Sequence, residues 1–239
     1  MFFSSATSAQ TTIPQGTDIG TYLNSGTNWS ATNYNFSIGA AATWRNVIYF
    51  NSAAHSTLTL DGGGNTVTRA GNNVIIYNGS SVNNNSVTLS NLTFSQTANS
   101  GSAIFYNSGG SITSNVLLNN VTFDGLAGAF GNVFYMNGTT GSTIMNVTAG
   151  VGANGVVFSN STSSGDGAGV ISMYAGNMTF NGDLTFNSNR TDNYGGAISM
   201  YQSPGVMTFN GTTAPRHSTI TSQRITSAAP STSGAAPPR

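Results

Sequence analysis

The sequence predicts an all-β solenoid, a β-helix of about six coils, and three observations carry that prediction. The first is a four-residue apolar segment that recurs as Val47-Ile48-Tyr49-Phe50, Val74-Ile75-Ile76-Tyr77, Ala103-Ile104-Phe105-Tyr106, Val133-Phe134-Tyr135-Met136, Val170-Ile171-Ser172-Met173 and Ala197-Ile198-Ser199-Met200, at steps of 27, 29, 30, 37 and 27 residues. A fixed period of this size means a stacked repeat. The second is a threonine-rich apolar segment that keeps step with it, as in Val87-Thr88-Leu89 with Leu92-Thr93-Phe94 and Val116-Leu117-Leu118 with Val121-Thr122-Phe123. The third is what bounds them: Gly, Asn and Ser clusters, with no stretch of sustained helical periodicity, which is the pattern of short strands joined by turns. Two or three short strands cannot bury their own apolar face, so each repeat must stack on its neighbours. A propeller blade needs about 40 residues and four strands, more than this period supplies.

The elements follow in chain order. Residues 1–11 read as a flexible N-terminus or the remnant of a signal peptide, since Met1-Phe2-Phe3 precedes small residues but no basic segment precedes the apolar one. Residues 12–45 form an N-terminal cap, needed because a solenoid must cover its end coil. Within it Asp18-Ile19-Gly20-Thr21-Tyr22-Leu23 opens a short helix, with Thr17 as N-cap. Residues 46–213 are the repeats, and Val156-Val157-Phe158 in the longest gap is a candidate further strand. Asn91 and Asn120 each sit immediately before a strand, 29 residues apart, and are expected to stack as an amide ladder. Residues 214–239 hold four of the six prolines and no regular alternation, and are expected to be a disordered tail. The break falls in the middle of a repeat, where a frameshift or truncation would leave it.

Alternation along each strand assigns the faces. Ile48, Phe50, Ile75, Tyr77, Ile104, Tyr106, Phe134, Met136, Ile171, Met173, Ile198 and Met200 are expected to point inward. The third residue of each segment then points outward, giving the column Tyr49, Ile76, Phe105, Tyr135, Ser172 and Ser199. Its first four members make an aromatic and apolar stripe. Tyr49, Ile76, Phe105 and Tyr135 are therefore the candidate binding residues, for a protein or a glycan, unless the rings serve only to stack between strands.

Composition narrows the chemistry. The formal net charge is zero and only 5% of residues are charged, all Asp or Arg, so there is no basic patch for nucleic acid. Without cysteine there is neither a disulfide framework nor a thiolate metal site. No apolar run approaches a membrane span. The acids are Asp18, Asp61, Asp124, Asp166, Asp183 and Asp192. The spacing aligns Asp124 with Asn187 and Asp183 with Asn120, so stacking makes no carboxylate pair of the kind a glycosidase uses. Asp183 and Asp192 with Arg190 form the best remaining cluster, which reads as a surface ion pair. His55 lies in a turn and His217 in the tail, neither beside a carboxylate. No catalytic residue, metal or cofactor is expected.

Phe186-Asn187-Ser188-Asn189 followed by Gly195-Gly196-Ala197-Ile198 resembles the paired FxxN and GGAI motifs of polymorphic outer-membrane autotransporter passengers. Gly101-Ser102-Ala103-Ile104 and Gly167-Ala168-Gly169-Val170 resemble the same pattern, and Leu60-Asp61-Gly62-Gly63-Gly64-Asn65 resembles the opening coil of many right-handed β-helices. The resemblance covers roughly residues 17 to 213 and departs from the family in lacking a C-terminal membrane barrel. It implies a right-handed parallel β-helix carried to the bacterial cell surface or secreted. It also implies a non-catalytic adhesin or structural role, with a host-surface protein or glycan, or a second copy, as partner. The competing class is a carbohydrate-active β-helix, a polysaccharide lyase or glycoside hydrolase.

Overall fold

A computed structural model describes residues 9–50, 55–70, 75–79, 84–96, 103–108, 110–128, 133–138, 142–163, 170–191, 196–200 and 205–211. Asp166, Asp192, His217, most of the 1–11 segment and the whole 214–239 tail lie outside the described residues. The entry segment contains β1 (Thr11–Ile13), the helix α1 (Ile19–Leu23), β2 (Asn35–Ile38), β3 (Ala42–Trp44) and β4 (Ile48–Phe50). Three coils follow as β5 (Thr57–Arg69) and β6 (Ile76–Gly79), β7 (Asn84–Gln96) and β8 (Phe105–Ser108), and β9 (Thr113–Asp124), β10 (Ala127–Gly128) and β11 (Phe134–Asn137). Next come β12 (Ile144–Ala149), β13 (Val156–Ser159), β14 (Thr162–Ser163), β15 (Ile171–Asn181), β16 (Leu184–Asn187), β17 (Arg190–Thr191), β18 (Ile198–Met200) and β19 (Gly205–Asn210).

Every strand pairing is parallel, and each strand pairs with its counterpart one coil away, so the chain is a parallel β-solenoid of about six turns. Among the described residues three long ladders run along it. One joins β1, β2, β5, β7, β9, β12, β15 and β19; a second joins β3, β5, β7, β9, β13 and β16; the third joins β4, β6, β8, β11, β15 and β18. The long strands β5, β7 and β9 belong to two ladders because each bends midway. The bend falls at Asn91 in β7 and Asn120 in β9, both in the left-handed backbone region with φ 51° and 55°. Asparagine tolerates that conformation better than other residues with a side chain.

Apolar residues on alternate positions meet inside. Phe94, Phe123, Phe158 and Phe186 stack in a single file with centroids 5.4, 5.4 and 4.9 Å apart. Val156-Val157-Phe158 is thus a strand, and it occupies the ordinary place of its coil, paired on one side with β9 and on the other with β16. The Ile144–Ala149 strand, which the apolar pattern alone does not single out, supplies the other ladder of that coil. Part of the extra length of the longest gap lies between Ala149 and Val156, whose partners Leu118 and Val121 are separated by a single bend, and it holds a 3-10 turn at Gly152–Asn154.

The helix forms where expected, but its N-cap is Asp18 rather than Thr17. Asp18 Oδ1 accepts from the Thr21 amide at 2.9 Å, while the Thr17 amide is committed to the Pro14 carbonyl in the preceding turn. Ile19 and Leu23 bury against the first coil, so the helix closes the solenoid's end. Residues 35–44 do more than cap: β2 and β3 pair with β5 in coil register.

Candidate binding surface

Register decides which side chains share the outer column. Tyr49 pairs with Tyr77, Tyr77 with Tyr106, Tyr106 with Tyr135, and Tyr135 with Ser172. The expected stripe is corrected at two positions. Ile76 and Phe105 are buried, 3% and 2% exposed, in an inward column that runs Ile48, Ile76, Phe105, Phe134, Ile171. Tyr77 and Tyr106, expected in the core, take their places outside and are half-buried. The reason is that the inward position filled by Phe50 in the first coil holds Asn78 and Asn107 in those two, so their apolar runs start and end one residue early relative to their neighbours. Ile75 and Ile104 are buried all the same, at the corner before the strand. Met200, also expected inside, is 43% exposed.

The tyrosines form a ladder. Tyr77 and Tyr106 stack at 5.3 Å with planes 12° apart, and Tyr106 and Tyr135 at 5.0 Å and 17°. Tyr49 meets Tyr77 edge-on at 5.5 Å and 61°. The Tyr77 ring leans along its strand over Gly79, where a Cβ would collide with it. Its hydroxyl then reaches Ser108 of the next coil at 2.6 Å, and Tyr106 makes a hydrogen bond with the Asn137 side chain one coil further on. Burial pushes the Tyr135 phenol up to about 12, with Tyr174 and Tyr106 adding to the shift. It also raises the Tyr106 phenol, against the lowering effect of Asn137.

This geometry limits what the stripe can contact. Rings stacked face to face use their faces on each other, so the middle of the ladder offers only ring edges. Exposure falls along the column, from 48% at Tyr49 to 8% at Tyr135. Tyr49 is therefore the ring open to an aromatic or sugar face, while Tyr135 is largely enclosed and Ile76 and Phe105 are core.

The other candidate groups have structural positions. Asp61 Oδ1 accepts from the Gly63 amide and from Asn91 Nδ2, each at 3.1 Å. Asp124 Oδ1 accepts from Ser159 Oγ at 2.7 Å and Asn160 Nδ2 at 2.8 Å, and Asp183 Oδ2 accepts from the Gly152 amide at 2.7 Å. Stacking sets Ser159 between Asp124 and Asn187, so two carboxylates do not adjoin there. His55 stacks on Trp29 at 4.7 Å and lies 3.0 Å from its carbonyl oxygen. In the FxxN segment Phe186 joins the phenylalanine file, while Asn189 donates to the Phe158 carbonyl at 2.9 Å and accepts from the Ser161 amide at 3.1 Å. The motif thus stitches a corner to the coil before it.

Among the described residues no helix is long and apolar enough to cross a membrane. No family model, no curated protein and no solved structure matches the chain.

Proposed function

We propose that this solenoid is a non-catalytic passenger, displayed at a bacterial cell surface or secreted, that acts as an adhesin or a structural stalk. One observation carries the reading: Asp18, Asp61, Asp124 and Asp183 are each bound into a turn or corner by backbone or neutral side-chain donors. A carboxylate whose oxygen is taken up by the donors of a turn or corner is spent on geometry, whereas a catalytic acid or base needs an open approach to substrate. The FxxN and GGAI resemblance supports export, and the neutral hydroxyl and amide exterior suits a rod whose business is contact along its length. Tyr49 is the contact residue this reading favours.

The test pairs two assays on the full chain. Incubation with pectin-like and other glycans is expected to release neither reducing ends nor unsaturated products, and the protein is expected to bind host cells or immobilised glycans. Glycan cleavage that disappears in an Asp124→Asn or Asp183→Asn variant with unchanged circular dichroism would overturn the reading in favour of a carbohydrate-active β-helix.

A further inference from the structure

The chain has seven methionines, and all except Met1 gather at one corner of the solenoid. Met136, Met173 and Met200 are register partners in one column, and Met145, Met178 and Met207 in the column across the corner. In the preceding coils the same two columns hold Asn78 and Asn107, and Asn85 and Ser114. The corner is polar at one end and lined with thioethers at the other.

Two glycines make room for the thioethers. A Cβ on Gly176 would collide with Met136 Sδ, and a Cβ on Gly205 would lie 2.9 Å from Met173 Cε. Gly205 stands two residues before Met207 on the same strand and so shares its face. The Met173 tail therefore lies in the slot beside Met207, while Met200 is its register partner. Accessibility rises along these coils: Met178 and Met173 are 0% and 2% exposed, Met207 is half-buried and Met200 is 43% exposed.

We propose that Met173, Met200 and Met207, with Met178 behind them, form a binding site for a soft monovalent metal ion of the copper(I) or silver(I) class. Thioether sulfur is a polarizable neutral donor that selects such ions over hard ones. The chain supplies it in place of cysteine, of which it has none, so the site needs no thiolate and survives where thiols oxidise. Packing alone would be met equally well by leucine, which replaces methionine at little cost in volume. That equivalence gives the test its control.

The full chain, carrying carbon-13 methyl labels on methionine, is titrated with silver nitrate in chloride-free buffer. The methyl resonances of Met173, Met200 and Met207 are expected to shift saturably, with Met136 and Met145 unmoved. A Met173→Leu, Met200→Leu, Met207→Leu variant is expected to keep its melting curve and lose saturable binding; should it fail to fold, Met200→Leu alone, at an exposed position, is expected to weaken binding. Unmoved methyls in the wild type, unchanged affinity in the leucine variants, or a collective shift of all methyls with loss of circular dichroism would each overturn the proposal.

Discussion

Asn120 Nδ2 donates to Asn91 Oδ1 across one coil at 3.1 Å, and Asn91 Nδ2 donates in turn to Asp61 Oδ1 at the same distance. The ladder sits on the bend between two faces, where both asparagines have positive φ. Two demands meet at these positions: a backbone that most side chains resist, and an amide that both donates and accepts along the rod.

Asn120→Ala is expected to cost about 1–3 kcal/mol, because alanine keeps the backbone strain and loses the hydrogen bond. Asn120→Gly should cost less, since glycine relieves the strain at positive φ. Denaturant unfolding of the two variants checks the order. A glycine variant less stable than the alanine variant would show that positive φ carries no appreciable strain at this position, since both variants lack the amide.

The register gives a second prediction. Phe105→Ala is expected to cost about 3–5 kcal/mol and Ile104→Ala about 2–5 kcal/mol, as both are fully enclosed. Tyr49→Ser, at the open end of its ladder, should cost only about 1 kcal/mol, the scale of one aromatic pair. A Phe105 variant no less stable than the Tyr49 variant would place the outer column where the apolar runs alone suggest.

How far the sequence discloses this molecule depends on which residues mark its repeat. The coil period and the strand order are legible because every coil carries an apolar run of similar length. The Asn91–Asn120 contact is legible because identical residues one period apart must stack. The outer column is misaligned because Asn78 and Asn107 are polar residues buried inside, 3% and 2% exposed, and a rule that equates polar with outside shifts the frame there. Both bond to Ser114, which removes much of the cost of enclosing them. Aligning Tyr49, Tyr77, Tyr106 and Tyr135 instead restores the frame. Ile144–Ala149 escapes notice because Met145 and Val147 alternate with Ile144 and Asn146, a weaker pattern than the unbroken runs elsewhere.

The enclosed end of the tyrosine ladder predicts a pH dependence. The folded-state pKa of Tyr135 is raised from 10.0 to about 12, so the native protein holds its proton where the unfolded chain has released it. By linkage, stability is fully present below pH 10 and falls as pH rises from about 10 through about 12. Denaturation series across that window should show a steeper loss for the wild type than for Tyr135→Phe, which carries no proton to release. Equal slopes would mean that another group dominates alkaline unfolding.

The open end of the same ladder predicts where recognition resides. Tyr77 and Tyr106 present edges, and their hydroxyls already serve Ser108 and Asn137, so replacing either by Phe should lower the melting temperature and leave binding to host cells or glycans intact. Tyr49 meets Tyr77 edge-on rather than face to face and is 48% exposed, so a sugar ring or an apolar side chain can stack on it. Tyr49→Ser should therefore weaken binding with little change in melting, and Tyr49→Trp should restore or strengthen it by offering a larger face. Glycan-array and cell-binding measurements beside thermal melts separate the two effects. Binding untouched by Tyr49→Ser but lost on replacing Tyr77 would move the contact to the edges and hydroxyls of the ladder; melting lowered throughout with binding unaltered would leave the whole column a scaffold.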